Sequence, residues 1–147
     1  MRTFSLGAGA GADVVKFTSA SSADANTITN FTVANDKLSF DKTAFTGYAS
    51  GSISAFEDAY DSGSYKTATK GNAYFIDGVT HKLETAKTEF KNDSSAAAGI
   101  TIVVDQSNGN IYAFNFNSTS AAATSFDLVG TVGSAGATLT ASNLEVF

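Results

Sequence analysis

Short runs in which apolar and polar positions alternate dominate the first forty residues. Residues 14–17 read VVKF, and after a connection rich in Ser, Ala and Asn two further short runs follow at residues 28–33 and 38–40. A period of two is typical of strands with one buried face. We expect three short strands here, the last two separated by a turn at residues 34–36.

The second half of the chain carries its longest apolar run, ITIVV at residues 100–104. This run predicts a buried strand, and the Asn108-Gly109 pair that follows predicts a tight turn into an alternating strand, hence a hairpin. Two more short strands are expected at residues 126–132 and 139–147. The Asp77-Gly78 pair, between two β-rich runs, predicts another hairpin with a two-residue type I′ turn.

Between these halves the period changes. Ile53, Phe56, Ala59 and Tyr60 recur at helical spacing, and Gly63 offers a stop, so residues 53–60 predict a short helix. Residues 84–99 fit either a short helix or a loop, and their Ala-rich end is typical of a connector. Together the elements predict a mainly β fold: a single β-sandwich or β-roll-like domain with one or two short helices, over residues 1–147.

Composition changes this picture at the surface. The 147 residues are 43% hydrophobic and only 16% charged, so small neutral polar side chains must cover much of the protein. There is no Pro, a residue that commonly blocks strand pairing at sheet edges. Edge-to-edge self-association is therefore expected.

Charge and cysteine content exclude several classes of function. The net charge is −5 and the basic residues are scattered, which argues against nucleic acid and anionic membranes as partners. No apolar run approaches the roughly 20 residues of a membrane span, and the N-terminus lacks the apolar region of a cleaved signal peptide. The absence of Cys rules out thiol catalysis, disulfides and Cys-based zinc sites.

The stretch GAGADVVKF, residues 9–17, matches one copy of the calcium-binding nonapeptide G-G-x-G-x-D-x-U-x. Ala8 replaces the first Gly, whereas Gly9, Gly11, Asp13 and Val15 fall on the pattern. Calcium takes about six to eight oxygen ligands, so one turn supplies at most half a site. Two interpretations follow: a calcium half-site centred on Asp13, or a Gly/Ala lead-in to a strand.

The continuation, through ITNFTVANDKLSF, resembles the segment that follows the last repeats of RTX (hemolysin-type calcium-binding) proteins, with Asp36 in the DKL motif as a further candidate calcium ligand. The C-terminus, including SFDLVG and the final LEVF, resembles type I secretion C-terminal domains. The resemblance covers about residues 7–40 and 100–147. On this basis residues 1–17 form a degenerate RTX-like turn, and residues 18–147 form a β-rich body with a C-terminal strand.

The resemblance implies export by a type I ATP-binding-cassette transporter that reads an uncleaved C-terminal signal, here Leu144, Glu145, Val146 and Phe147. A final buried strand would give the same pattern. The sequence also departs from the family, because Asn30 stands where the family has Asp and only Asn115 and Asn117 represent a later acidic pair. Neutral amides bring no charge, so weaker calcium binding is expected at these positions.

Other residues that carry chemistry have ordinary structural explanations. His81 is the only His and lies without a recognisable nucleophile, so it is expected to be a surface or cross-strand residue, with haem ligation as the alternative. Glu57 and Asp61 would share one face of the predicted helix, with Asp58 beside them, as a solvated cluster or a cation site. Residues 105–110 (DQSNGN) are oxygen-rich, but the Asn-Gly turn accounts for them.

No motif of an enzyme is present. The sequence therefore predicts a non-catalytic extracellular or cell-surface protein that is exported by a type I system and self-assembles as a surface-layer, filament or matrix subunit, with possible calcium as its one cofactor. Two alternatives stay open: a secreted module that captures haem or a sugar, and the C-terminal export and folding cap of a larger RTX protein.

Overall fold

The structure is a computed structural model that describes residues 1–93, 98–118 and 120–147. Within these ranges the chain is built from short strands, one α-helix and three 3-10 segments. The helix α1 spans Leu83–Glu89, and the 3-10 segments lie at Ser22–Asp24, Gly133–Thr138 and Ala141–Asn143. In chain order the strands are β1 (Arg2–Ser5), β2 (Val14–Phe17), β3 (Asn26–Thr29), β4 (Lys37–Phe40), β5 (Gly51–Ser52), β6 (Phe56–Asp58), β7 (Tyr60–Asp61), β8 (Ser64–Tyr65), β9 (Thr67–Ala68), β10 (Ala73–Ile76), β11 (Lys91–Asn92), β12 (Gly99–Asp105), β13 (Asn110–Phe116), β14 (Ser125–Thr131) and β15 (Leu144–Val146).

Two main sheets organise the described residues. The larger has the order β1-β3-β14-β13-β12-β10-β6, and the smaller has the order β2-β4-β15-β5. In the larger sheet every strand except β13 runs in the same direction, because its two antiparallel pairs, β12–β13 and β13–β14, both involve β13. Its two edge strands, β1 and β6, are therefore parallel to each other.

The first four strands form a coil. β1 pairs in parallel with β3 in the larger sheet, and β2 pairs in parallel with β4 in the smaller sheet. The chain thus crosses from one sheet to the other after each strand, as in a β-roll. Residues 1–17 consequently supply the outermost strand at one edge of both sheets, which we call the front edge.

The main core lies between the two sheets. Phe17 and Phe40 are opposite each other in the register of β2 and β4, and their rings stack with centroids 4.9 Å apart. Phe45, in the segment after β4, meets Phe40 edge-on at 5.0 Å. All three side chains are fully buried, and each such burial contributes about 1.5–3 kcal/mol.

A second core covers the opposite face of the larger sheet. Tyr74 of β10 and Phe114 and Phe116 of β13 surround Phe90, the residue that ends α1. Ala86 is the fully buried residue within the helix. The larger sheet is therefore the middle layer, with the smaller sheet on one side and α1 on the other.

The predicted fold class is confirmed: the chain is mainly β, with a sandwich of two sheets and short helical segments. The predicted strand at residues 14–17 is β2, and the buried run at residues 100–104 lies in β12. The Asn108-Gly109 turn joins β12 to β13 in an antiparallel pair, as expected. Of the predicted strand at residues 139–147, only β15 forms, after two 3-10 segments.

The helix predicted at residues 53–60 is wrong. Ile53 and Ala59 are buried, so their apolar character was informative, but the segment follows β5 and contains β6 and the start of β7. β5 pairs with β15, and β6 pairs with β10. Pairing with distant strands overrides a weak local helical pattern.

The hairpin predicted at Asp77-Gly78 is also wrong. β10, which precedes this pair, lies between two parallel partners, β12 and β6. After the turn, residues 83–89 (LETAKTE) form α1, since Leu, Glu, Ala and Lys favour helices. The ambiguous stretch at residues 84–99 thus begins as helix, and part of its Ala-rich end, residues 94–97, lies outside the described residues.

Candidate functional site

The glycine-rich stretch forms the crossing from β1 to β2. Gly9 and Gly11 are exposed, and a Cβ on either would meet no atom closer than 3.9 Å. Neither has a positive φ. The local backbone therefore does not require glycine at these two predicted calcium-site positions.

The carboxylate of Asp36 is bound by backbone groups instead of by other side chains. Its Oδ1 accepts a hydrogen bond from the backbone N–H of Asp13 at 3.0 Å, and its Oδ2 accepts one from Thr32 at 2.7 Å. The residue is only 2% exposed. A buried carboxylate with backbone donors on both oxygens fixes the lead-in of β2 to the turn before β4.

Asn143 extends this arrangement to the C-terminus. Its Nδ2 donates to the carbonyl oxygens of Val33 at 2.7 Å and Asp36 at 3.0 Å. Its Oδ1 accepts from the backbone N–H of Thr140 at 2.9 Å, which closes a capping box. We call Asp36 and Asn143, with the backbone groups that they bind, the Asp36 clamp.

Asp13, the candidate calcium ligand, takes part in the clamp through its backbone. Its N–H binds Asp36 and its carbonyl oxygen accepts from the N–H of Lys37 at 2.8 Å. Across residues 1–93, 98–118 and 120–147 no three His, Cys, Asp or Glu side chains are grouped closely enough to hold a metal ion. Calcium binding by Gly9, Gly11, Asp13 and Asp36 stays a prediction.

The four C-terminal residues lie in the smaller sheet. β15 runs between β4 and β5, with Leu144 1% and Val146 4% exposed. Glu145 faces outward and pairs with Lys37 of β4 at 3.3 Å. Phe147 is partly exposed, and the Lys16 ammonium lies 4.7 Å from its ring centroid. Folding therefore buries Leu144 and Val146, two of the three apolar residues in the segment that resembles a secretion signal.

The front edge exposes much of its two strands. All four residues of β1 are exposed, and in β2 the outward-facing Val14 is 49% exposed. Phe4 lies opposite Ile28 in the register of β1 and β3, so it faces the same core as Ile28, yet it remains 38% exposed. This apolar side chain has no strand beyond it to cover it.

The opposite edge of the larger sheet, β6, is acidic, and we call it the back edge. The predicted helical cluster is instead spread over β6 and β7, where each carboxylate has a separate contact. Glu57 pairs with Lys66 at 3.1 Å, Asp58 accepts from the backbone N–H of Tyr60 at 3.0 Å, and Asp61 accepts from the Ser62 hydroxyl at 3.1 Å. The structure does not bring the three together as one cation site.

His81 packs against aromatic rings in the turn before α1. Its ring stacks on Tyr60 with centroids 3.6 Å apart, and Tyr65 meets it edge-on at 6.1 Å. The Tyr65 hydroxyl is buried without a hydrogen-bond partner among the described residues. Burial, and then the charge of Glu89, raise the pKa of Tyr65. This packing fits a structural cross-strand role, and haem ligation stays an untested alternative.

Asp77 organises the turn in which His81 lies. Its Oδ1 accepts hydrogen bonds from the backbone N–H groups of Val79 at 2.9 Å and His81 at 2.8 Å. Burial raises the pKa of Asp77, but these backbone hydrogen bonds outweigh it and lower the pKa below its usual value. The Asp-Gly pair thus marks a turn that is closed by the aspartate side chain and leads into α1.

Sequence reasoning missed two structural residues. The Tyr48 hydroxyl donates to the carbonyl oxygen of Asn72 and accepts from the N–H of Ile102, both at 2.8 Å, and the residue is buried. Nothing local in the sequence marks this role. Asn143 could have been found, since Thr140 three residues before it gives the spacing of a capping box.

No described helix is both long and apolar enough to cross a membrane. No protein family, curated protein or solved structure matches this chain. The resemblance to RTX proteins stays a prediction from the sequence.

Proposed function

We propose that this chain is a non-catalytic extracellular subunit, exported by a type I secretion system, that self-assembles into a surface layer, filament or matrix. One observation carries the assembly: at the front edge each sheet of the sandwich ends in a strand, β1 or β2, that is paired on one side only. β1 is exposed along its whole length, and the inward-facing Phe4 is 38% exposed. Exposed strand edges and uncovered apolar side chains favour addition of another strand.

The composition of the chain supports this proposal. Native proteins block sheet edges with Pro, dense charge or covering loops. This sequence contains no Pro, and only 16% of its residues are charged. The sequence therefore lacks two of the features, Pro and dense charge, that keep sheet edges from pairing with other copies.

Export before folding is consistent with the position of the C-terminus. In this proposal the transporter reads residues 144–147, but Leu144 and Val146 are buried in the folded sandwich. Leu144 and Val146 are therefore accessible only while the chain is unfolded. Secretion of an unfolded chain followed by folding and assembly outside the cell is thus the order of events that we propose.

Calcium would assist at contacts between copies in this proposal. Asp13 is partly buried next to the front edge, and its carboxylate is not engaged in the hydrogen bonds of the Asp36 clamp. Further oxygen ligands would come from another copy, because a single copy supplies only part of a calcium coordination sphere.

Light scattering and electron microscopy with and without calcium test the assembly. We expect particle size to grow with protein concentration and micrographs to show ordered filaments or sheets. A chain that stays monomeric at all concentrations, with calcium present, would overturn the proposal.

The same front edge favours a second candidate, the C-terminal folding cap of a larger RTX protein. Coil turns preceding β1 in a longer chain would pair with β1 and β2 in the way that β3 and β4 do. The test is to add several nonapeptide repeats before residue 1. The cap function predicts a monomer that calcium stabilises, whereas continued assembly favours the structural subunit.

A further inference from the structure

The two edges of the larger sheet are suited to each other. β1 and β6 run in the same direction, so a second copy shifted sideways along the sheet brings its β1 beside β6 of the first copy in parallel alignment. We propose that copies associate head to tail through parallel pairing of the back edge, β6, with the front edge, β1. This inference rests on the proposed self-assembly and names its interface.

The free backbone groups of β1 belong to Thr3 and Ser5. The N–H groups of Arg2 and Leu6 donate to carbonyl oxygens next to and within β3, at 3.3 Å and 3.1 Å. Because backbone groups of successive residues point to opposite sides of a strand, those of Thr3 and Ser5 point away from β3. They are available to an incoming strand.

The free backbone groups of β6 belong to Phe56 and Asp58. The carbonyl oxygen of Ala55 accepts from Ala73, and the N–H of Ala59 donates to Phe75, both at 2.9 Å. The odd-numbered residues therefore face β10, and the even-numbered ones face outward. Each edge thus offers two residues whose N–H and C=O groups match those of the other.

The side chains of these edges are complementary in charge and in apolar character. Phe4 lies opposite Ile28, and Phe56 lies opposite Ala73, so Arg2 and Phe4 share the core-facing side with Phe56 and Asp58. Each strand therefore presents one aromatic ring and one charged side chain, two residues apart. The charge is positive on β1 and negative on β6. Diagonal neighbours on paired strands lie about 7–8 Å apart, within reach of Arg and Phe side chains.

Charge favours head-to-tail pairing over the two symmetric pairings, front edge with front edge and back edge with back edge. Among the described residues the ion pairs are Lys37–Glu145, Lys66–Glu57 and Lys87–Glu84, so neither Arg2 nor Asp58 forms an ion pair with another of these residues. Pairing two back edges would bring the Asp58 carboxylates of both copies together, and pairing two front edges would leave Asp58 without an opposite charge. Opposite charges across an interface favour one register and disfavour wrong partners.

Pairing of two different edges does not close on itself. Each added copy exposes a new β6, and the twist of the sheet rotates successive copies in the same sense. The expected product is a filament in which the larger sheet continues from one copy to the next.

Charge reversal at each edge tests the pairing. Arg2→Glu and Asp58→Lys each place like charges across the interface, and we expect each to raise the critical concentration of assembly by about tenfold or more. An equimolar mixture of the two variants, and the double variant, restore opposite charges at every contact and should assemble as the wild type does. Lys82→Glu and Glu84→Lys make the same charge changes at exposed residues at the start of α1, away from both edges, and should leave the critical concentration unchanged. Sedimentation velocity and electron microscopy measure assembly, and circular dichroism confirms folding.

Each outcome separates this inference from the proposed function. A wild-type chain that never assembles contradicts the proposed function itself. A wild type that assembles, together with Asp58→Lys that assembles equally well, overturns head-to-tail pairing. If Arg2→Glu alone is impaired, two front edges pair instead. Loss in both single variants with recovery in the mixture supports the inference.

Discussion

Asp36 and Asp13 carry the same charge but make different contacts, and this difference can be tested by one substitution applied to both. The Asp36 carboxylate accepts hydrogen bonds from the backbone N–H groups of Asp13 and Thr32. In Asp36→Asn, the NH₂ group of the amide would face one of these two N–H donors, and that hydrogen bond would be lost. We expect urea unfolding to show a loss of about 2–3 kcal/mol in the free energy of unfolding. In Asp13→Asn the hydrogen bonds of the clamp remain, because Asp13 makes them through its backbone, and the loss should stay within about 0.5 kcal/mol.

Calcium adds a second measurement to this pair. If Asp13 is a ligand, calcium shifts the urea midpoint of the wild type, and Asp13→Asn removes that shift. A calcium shift that persists in Asp13→Asn would contradict its assignment as a ligand. Equal losses of stability in the two variants without calcium would contradict the clamp.

Tyr48 links three segments through one buried hydroxyl. Tyr48→Phe leaves the N–H of Ile102 and the carbonyl oxygen of Asn72 without their 2.8 Å partner, so we expect a loss of about 1–3 kcal/mol. Tyr112→Phe is the control, because Tyr112 is half-buried and its hydroxyl accepts from a side-chain amide only two residues away. A loss in the control as large as that in Tyr48→Phe would contradict this role.

The same residue predicts a pH dependence. Burial raises the pKa of Tyr48 far above its usual value, despite a hydrogen bond from Ile102 that lowers it. The unfolded chain then releases the proton first, so the contribution of Tyr48 to stability is constant below about pH 10 and falls above it by up to about 1.4 kcal/mol per pH unit. Urea unfolding between about pH 9 and pH 11 should show a shallower decline in Tyr48→Phe. An unchanged slope would contradict the prediction.

At the scale of elements, predictions held where the pattern was long and local. β12 and β13 have seven residues each and are joined by the Asn108-Gly109 turn, so neighbouring residues determine both strands and their pairing. β5 and β6 have two and three residues, and their partners, β15 and β10, are distant in the sequence. No local pattern could specify them. For the same reason the sequence identified Asp36 as an oxygen-bearing residue but not its backbone partners.

The turn after β10 requires glycine at position 78, although no hairpin follows it. Gly78 has φ +74°, and a Cβ there would overlap the carboxylate of Asp105. Gly78→Ala should therefore cost about 2–4 kcal/mol, from both the left-handed backbone and the collision. Gly63→Ala is matched in backbone, since φ is +93°, but its Cβ would meet open space, so about 1 kcal/mol is expected. Urea unfolding of both variants measures the difference, and equal losses would show that Asp105 moves aside without cost.

At the scale of the whole molecule, the final strand joins the two ends of the chain. β15 pairs with β4, which completes the coil begun by the first residues, and Asn143 just before it binds the backbone around Asp36. β15 lies between β4 and β5, so the smaller sheet cannot form completely until β15 is in place. Folding of the sandwich is therefore expected to depend on the last residues of the chain, consistent with the proposed export of an unfolded chain.

Val146 and Glu145, adjacent in β15, test this dependence. Val146→Asp places a carboxylate without a partner at a position that is 4% exposed, which costs several kcal/mol and approaches the whole stability of a typical domain. Glu145→Ala removes only a surface ion pair with Lys37, worth at most about 1 kcal/mol. We expect circular dichroism and limited proteolysis to find Val146→Asp unfolded and Glu145→Ala folded. If β1 to β4 stay protected from protease in Val146→Asp, the coil folds without β15. That result would contradict the dependence of folding on the C-terminal residues.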